Sequence, residues 1–165
     1  MSPSERDWAP LTAHQPAEQW QATCVAIGER GVLIEGAPGI GKSSLALALI
    51  DRGAQLVGDD GVLLHRDGQA LLASPPPTIA GKIEVRNLGI LDMACAAAAV
   101  PVALVIVLDR AAPRFITGPE AAVRAGHALP LIRLWPDSPQ LPLRAELALL
   151  HYGAGGDGFE LPAVR

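Results

Sequence analysis

The octapeptide Gly36-Ala37-Pro38-Gly39-Ile40-Gly41-Lys42-Ser43 fits the phosphate-binding pattern G-x-x-x-x-G-K-[ST], and the apolar run Gly31-Val32-Leu33-Ile34-Glu35 precedes it as that motif requires. Its glycines let backbone N–H groups point inward around phosphate oxygens. Lys42 supplies a point charge near the β and γ oxygens, and the Ser43 hydroxyl can ligate Mg²⁺. The helix expected to follow aims its positive end at the same place. The plain alternative is a strand-to-helix turn with an incidental lysine, but the chain has only two lysines, Lys42 and Lys82, against eleven arginines. A second chemical feature is the carboxylate pair Asp59-Asp60 at the end of Leu56-Val57-Gly58. Adjacent like charges repel unless a cation or a proton separates them, which favours a catalytic or metal role for the pair. Val105-Ile106-Val107-Leu108-Asp109 has the same apolar-run-then-aspartate shape, although Asp109 can equally cap the next turn. His65, His127 and His151 are dispersed and lack metal-ligand spacing. Trp135, beside Pro136, fits a packing role over the sheet or a contact with a partner.

These residues need elements to hold them. Ala22–Ile27 and Gly31–Ile34 read as strands joined through Gly28-Glu29-Arg30, a hairpin that feeds the glycine-rich loop. Ser43 to Arg52 reads as a helix, with apolar residues at 45, 47, 49 and 50 among alanines and Gly53 placed to end it. Gln55–Gly58, Val62–His65 and Ala70–Leu72 read as short strands, the last two flanking turn chemistry at Arg66-Asp67-Gly68-Gln69. Alternation over Lys82-Ile83-Glu84-Val85-Arg86 predicts a half-buried strand with Lys82, Glu84 and Arg86 on one face. Pro101 to Asp109 is continuously apolar and β-branched, the pattern of a central strand covered on both sides. Alanine-rich Ala94–Val100 reads as a surface helix turn, and turn residues dominate Arg110–Ala128. Leu129–Leu134 reads as another strand, and Leu141–Tyr152 as a final amphipathic helix.

The chain has 165 residues, half of them apolar, enough for one compact domain with a substantial core. Three regions are expected: an irregular N-terminal segment 1–20, a phosphate-loop domain 21–151, and a flexible glycine-rich tail 152–165. Net charge of −4 argues against nucleic acid or an anionic membrane as the main partner. Cys24 and Cys95 lack metal spacing and read as buried free thiols in a reducing compartment. No run approaches the roughly 20 apolar residues that span a bilayer, and the N-terminus lacks the blocks of a signal peptide, so a cytoplasmic location is expected. Phosphate binding alone does not choose among kinase, ATPase and GTPase, but an Asn-Lys-x-Asp base-recognition segment is missing, which disfavours a GTPase.

Four segments occur in the order seen in HPr kinase/phosphorylase: Gly36–Ser43, Leu49-Ile50-Asp51-Arg52-Gly53, Leu56-Val57-Gly58-Asp59-Asp60, and Glu84-Val85-Arg86-Asn87-Leu88-Gly89-Ile90-Leu91-Asp92. Over residues 21–151 the chain resembles the catalytic domain alone, as in short alphaproteobacterial forms. That resemblance implies a three-layer α/β phosphate-loop domain, similar also to the nucleotide-binding fold of phosphoenolpyruvate carboxykinase. It further implies phosphoryl transfer from ATP, with Mg²⁺, to a serine of the phosphocarrier protein HPr, and a homo-oligomer, a hexamer in that family. By the resemblance Asp60 takes the serine proton with Asp59 as its neighbour, Lys42 steadies the phosphoryl group, Ser43 and Glu84 hold Mg²⁺, and Arg86 serves both directions of transfer.

The chain also departs from the family pattern. Gln21 stands where the family has a histidine thought to assist the catalytic aspartate, and glutamine neither titrates nor carries charge. Ser44 replaces a glutamate after the loop. The basic stretch expected for phosphorolysis reads Leu134-Trp135-Pro136-Asp137-Ser138-Pro139-Gln140, and neither Arg114 nor Arg124 matches the arginine of the family's catalytic loop. Kinase activity with weak or lost phosphorolysis is therefore expected. A small-molecule kinase and a nucleotide-binding regulatory module with little catalysis are the other readings.

Overall fold

The computed structural model describes residues 17–155. Its longest strand, β9 (Val100–Leu108), lies at the centre, as its unbroken apolar run predicts. Along one side β9 pairs in parallel with β3 (Arg30–Glu35). Along the other side it serves two strands in turn. Val100 and Pro101 pair antiparallel with β6 (Ala70–Ser74), and Val105 to Leu108 pair in parallel with β11 (His127–Leu134). The sheet forks at that point. One arm continues as β3, β2 (Thr23–Ile27) and β4 (Gln55–Gly58), and β11 continues into β10 (Glu120–Arg124). The other arm runs from β6 to β5 (Val62–Asp67) and β1 (Glu18–Trp20).

The fork produces three layers. The first is formed by the helices, α1 (Lys42–Asp51) and α2 (Leu141–Tyr152), whose Leu45, Leu49, Ala145 and Leu149 pack on Val32, Ile34, Leu104 and Ile106 of the central sheet. On the opposite face Leu33 and Val105 meet Val62, Leu64, Leu71 and Ala73 of the curled arm. Alternation along β3 and β9 thus sends successive residues into two separate cores, which is why neither strand shows a polar face. Each fully buried leucine contributes about 2 kcal/mol. The expected three-layer α/β architecture is present as helix, sheet and sheet. Among the described residues no helix is long and apolar enough to cross a membrane.

The hairpin β2–β3, both helices, β4, β5, β6 and β11 occupy the positions read from the sequence to within a few residues. Lys82, Ile83, Glu84 and Val85 form β7 (Lys82–Val85), with Ile83 buried and Lys82 and Glu84 exposed. β7 does not join the main sheet. It pairs only with β8 (Gly89–Asp92) in a two-stranded ribbon, anchored to the helix layer through Ile83, Val85 and Met93.

Other segments differ from expectation. Ala94–Val100 does not form a helix turn. Cys95 bridges Leu56 in parallel, with Leu56 N–H donating to the Ala94 carbonyl and Ala96 N–H to the Leu56 carbonyl. Hydrogen-bond groups on the open edge of β4 outweigh the helix propensity of alanine. Turn residues do surround Arg110–Gly118, but Glu120–Arg124 is a strand, closed onto β11 by a two-residue turn at Ala125-Gly126. At the N-terminal end, Glu18–Trp20 pairs with Val62–Leu64, so regular structure begins within the segment expected to be irregular. At the other end, Ala154 N–H donates to the Ala103 carbonyl of β9, tying the residues after α2 to the body. Expectations for residues 1–16 and 156–165 lie outside the described residues.

Candidate functional site

β3, β4, β9 and β11 run in one direction, and their carboxyl ends share an edge with the start of the antiparallel β2. Open α/β sheets bind ligands at such an edge. The loop 36–41 leaves β3 there and enters α1. Gly36 has φ 152°, and a Cβ at this position would lie 2.9 Å from Ile40 Cγ2 and 3.1 Å from the Leu108 carbonyl oxygen. Only glycine lets the loop fold this close to the end of β9. The first turn of α1 carries no acidic residue and its N-cap, Gly41, makes no side-chain cap bond. Its free N–H groups therefore remain available to an anion. Lys42 Nζ donates to the carbonyls of Gly36 at 2.8 Å and Ala37 at 3.1 Å, which keeps the ammonium over the loop.

Opposite the loop, β4 ends in the turn Gly58-Asp59-Asp60-Gly61. A Cβ on Gly58 would lie 2.1 Å from the Gly61 carbonyl oxygen, so the chain can double back this tightly only with glycine at 58. The turn also holds Asp60 at φ 54°, a left-handed conformation that aspartate tolerates better than most residues. Asp59 is half-buried and receives three hydrogen bonds: Ser43 Oγ at 2.6 Å and Thr23 Oγ1 at 3.2 Å donate to Oδ1, and Glu84 N–H donates to Oδ2 at 2.9 Å. Thr23 Oγ1 in turn accepts the Asp60 N–H at 3.2 Å. The Asp60 side chain is exposed to the cleft.

The result is an open cleft of about 560 Å³ lined by Gly36, Pro38, Gly39, Gly41, Lys42, Ser43, Asp59, Asp60, Glu84 and Arg86, with Gln21, Thr23 and Ser44 completing the wall. Four stretches far apart in sequence thus converge on one space. Arg86 reaches the loop apex, its Nη2 4.0 Å from where a Cβ on Gly39 would sit. Ala37 and Ile40 belong to the loop without lining the cleft, acting through the Ala37 carbonyl and the packing of Ile40 on Gly36. The chemistry of this donor set, a hydroxyl and carboxylate oxygens beside a loop shaped by obligate glycine, fits a hard cation together with phosphate.

Other singled-out residues have different tasks. Asp109 Oδ1 accepts the Ala111 N–H at 2.8 Å and Oδ2 pairs with Arg133, so it caps the turn after β9 outside the cleft. Arg124 grips Glu35 with two 2.8 Å hydrogen bonds, which raise its pKa, and Trp20 Nε1 also donates to Glu35. That pairing staples β10 and the end of β1 to β3 and engages the Arg124 guanidinium on Glu35. Trp135 donates to the Ala112 carbonyl at 2.6 Å, and the Arg144 guanidinium lies over its ring. Thr23 is the functional candidate that sequence reasoning passed over. The signal was faint, a lone threonine at the first position of an otherwise apolar strand.

A mixed, curled sheet with a glycine-rich loop between strand and helix, facing an acidic turn at the carboxyl edge, defines the class of α/β domains built around such a loop. The family model described as HPr Serine kinase C-terminal domain matches residues 13–102. The chain belongs to that family. It is similar to the solved structure of the Hpr(Ser) kinase/phosphatase from Coxiella burnetii, with 34% identity and a TM-score of 0.71 over 80% of this chain and 93% of that one. Among curated proteins it is 41% identical over 90 residues to the HPr kinase/phosphorylase of an Exiguobacterium species, covering 54% of this chain and 27% of the relative. It is 44% identical over 64 residues to that of Lacticaseibacillus casei, covering 38% of this chain and 20% of the relative. The matched stretches thus span about a quarter of the length of these curated relatives.

Proposed function

We propose that the chain is an ATP-dependent serine protein kinase that phosphorylates HPr, with reverse phosphorolysis weak or lost. The observation that carries this reading is the convergence of Asp60 with Lys42 and the glycine-rich loop on one cleft. A serine hydroxyl needs a base within hydrogen-bond reach, and an exposed carboxylate facing the phosphate cradle can provide one. In the forward reaction Asp60 accepts the hydroxyl proton while the serine oxygen forms a bond to the γ-phosphorus and the bond from that phosphorus to the β–γ bridging oxygen breaks. ADP departs, and the proton leaves Asp60 for solvent. Loop amides, Lys42 and Arg86 neutralise charge that spreads over the transferring group. Mg²⁺ accompanying the nucleotide would be held by Ser43 and Glu84 and would supply further charge neutralisation.

Weak phosphorolysis is expected because Leu134-Trp135-Pro136-Asp137-Ser138-Pro139-Gln140 carries no arginine and Arg124 is engaged by Glu35, while Gln21 at the cleft wall offers hydrogen bonds but no exchangeable charge to either direction of transfer. Gln21 also favours a second reading, a regulatory module that binds nucleotide with little turnover. The deciding assay incubates the chain with labelled ATP, Mg²⁺ and purified HPr, forwards and with inorganic phosphate in reverse. The kinase reading expects phosphoserine on HPr, a drop of roughly 100-fold or more in Asp60→Asn with nucleotide binding retained, and little dephosphorylation. Undiminished transfer by Asp60→Asn would contradict the role of Asp60. Nucleotide binding without transfer by the wild type would favour the module.

A further inference from the structure

We infer that Thr23 is a positioning residue that sets the geometry of both aspartates, a role that rests on the kinase reading of the cleft. Among the described residues Thr23 is the one polar or charged residue in the buried core, at 0% exposure. Strand starts are usually apolar when buried this deeply, and a buried hydroxyl is tolerated only when fully hydrogen-bonded. Here its bonding capacity is directed at the acidic turn. The one hydroxyl proton goes to Asp59 Oδ1, and a lone pair accepts the Asp60 N–H.

The backbone shows why this contact exists. β2 and β4 pair antiparallel, with Val25 opposite Leu56 but Cys24 opposite Gly58, so β4 carries an irregularity at Val57. Regular pairing would have put Thr23 opposite Gly58. The extra residue moves the register by one, and Thr23 reaches Asp59 with its hydroxyl, 3.2 Å from Oδ1. Bulges beside active sites re-aim side chains in this way. The same hydroxyl then braces a turn whose next residue, Asp60, sits at φ 54°. One atom thus orients the carboxylate that also receives Ser43 Oγ and pins the backbone of the proposed base.

The test uses Thr23→Val, which keeps shape and strand propensity, and Thr23→Ser, which keeps the hydroxyl. Expected for the valine variant is a kcat lower by roughly 10- to 100-fold, the scale of a misplacement of about 1 Å, with KM for HPr little changed and recovery in the serine variant. Hydrogen exchange at the Asp60 amide should quicken in Thr23→Val and not in Thr23→Ser. Wild-type kcat in Thr23→Val, or unaltered exchange at Asp60, overturns the inference. So does a loss of kcat that tracks a fall in Tm and is not restored by serine. If the wild type transfers no phosphoryl group at all, the kinase reading fails by itself. Asp60 exchange and the Mg²⁺ dependence of nucleotide affinity then decide the positioning claim, which stands only if both change in Thr23→Val and recover in Thr23→Ser.

Discussion

Asp59 and Asp60 are neighbours in the chain but differ in their surroundings. Asp59 is held by two hydroxyls and an amide, whereas Asp60 has its backbone pinned and its carboxylate exposed to the cleft. Repulsion between them is relieved because donors surround one carboxylate and water reaches the other. The two cysteines diverge in a similar manner. Burial pushes the Cys24 thiol up to about 12, while Cys95 is only half-buried. Since thiolate is the reactive form, iodoacetamide at neutral pH should label Cys95 in the native protein and reach Cys24 only after denaturation. Mass spectrometry of native and unfolded samples checks this, and native labelling of Cys24 would mean that β2 opens readily. At this scale much of the site could be read from the chain. Gly36–Ser43 and Asp59-Asp60 announce themselves by type and spacing, whereas Glu84 and Arg86 read as ordinary strand charges until the family resemblance singles them out. Thr23 has neither signal, because its meaning depends on a register shift between two strands that no local pattern encodes.

The element that does most to shape the cleft is the turn after β4. With Gly58 packed under Gly61, the chain reverses fast enough to present both carboxylates to the loop, and any side chain at 58 must push the turn open. Gly58→Ala should lower stability by about 3 kcal/mol, the upper end of overpacking costs, because the obstruction is backbone rather than a flexible side chain. Urea denaturation gives the number directly. A change under about 0.5 kcal/mol, the range of neutral surface substitutions, would show that the turn is looser than described. Helices and buried strands were legible because period and apolar content are local properties, as in β9 and α2. β8 and β10 were not. Gly89-Ile90-Leu91-Asp92 leaves every residue exposed, and Glu120-Ala121-Ala122-Val123-Arg124 has modest strand propensity, so each is a strand because a hairpin partner pairs with it.

Across the whole molecule, the forked pairing of β9 is what turns one sheet into two layers and gives a small chain two cores. The helix-side core sets α1, and with it Lys42 and Ser43, against the sheet. The opposite core seats β5 and β6 beneath the central strands. The cleft lies along their common edge, so its walls are held by both cores. Sequence periodicity conveys that β9 is covered on both faces, but which elements do the covering is a long-range outcome, legible here only through the family resemblance. The most direct test of the account is calorimetric titration with Mg²⁺·ATP of the wild type and of Lys42→Ala. The cradle described here predicts a clear heat of association in the wild type and affinity lower by about 10-fold or more in the variant, the worth of a charge-assisted hydrogen bond. Absence of binding by the wild type, or equal affinity in Lys42→Ala, would contradict it.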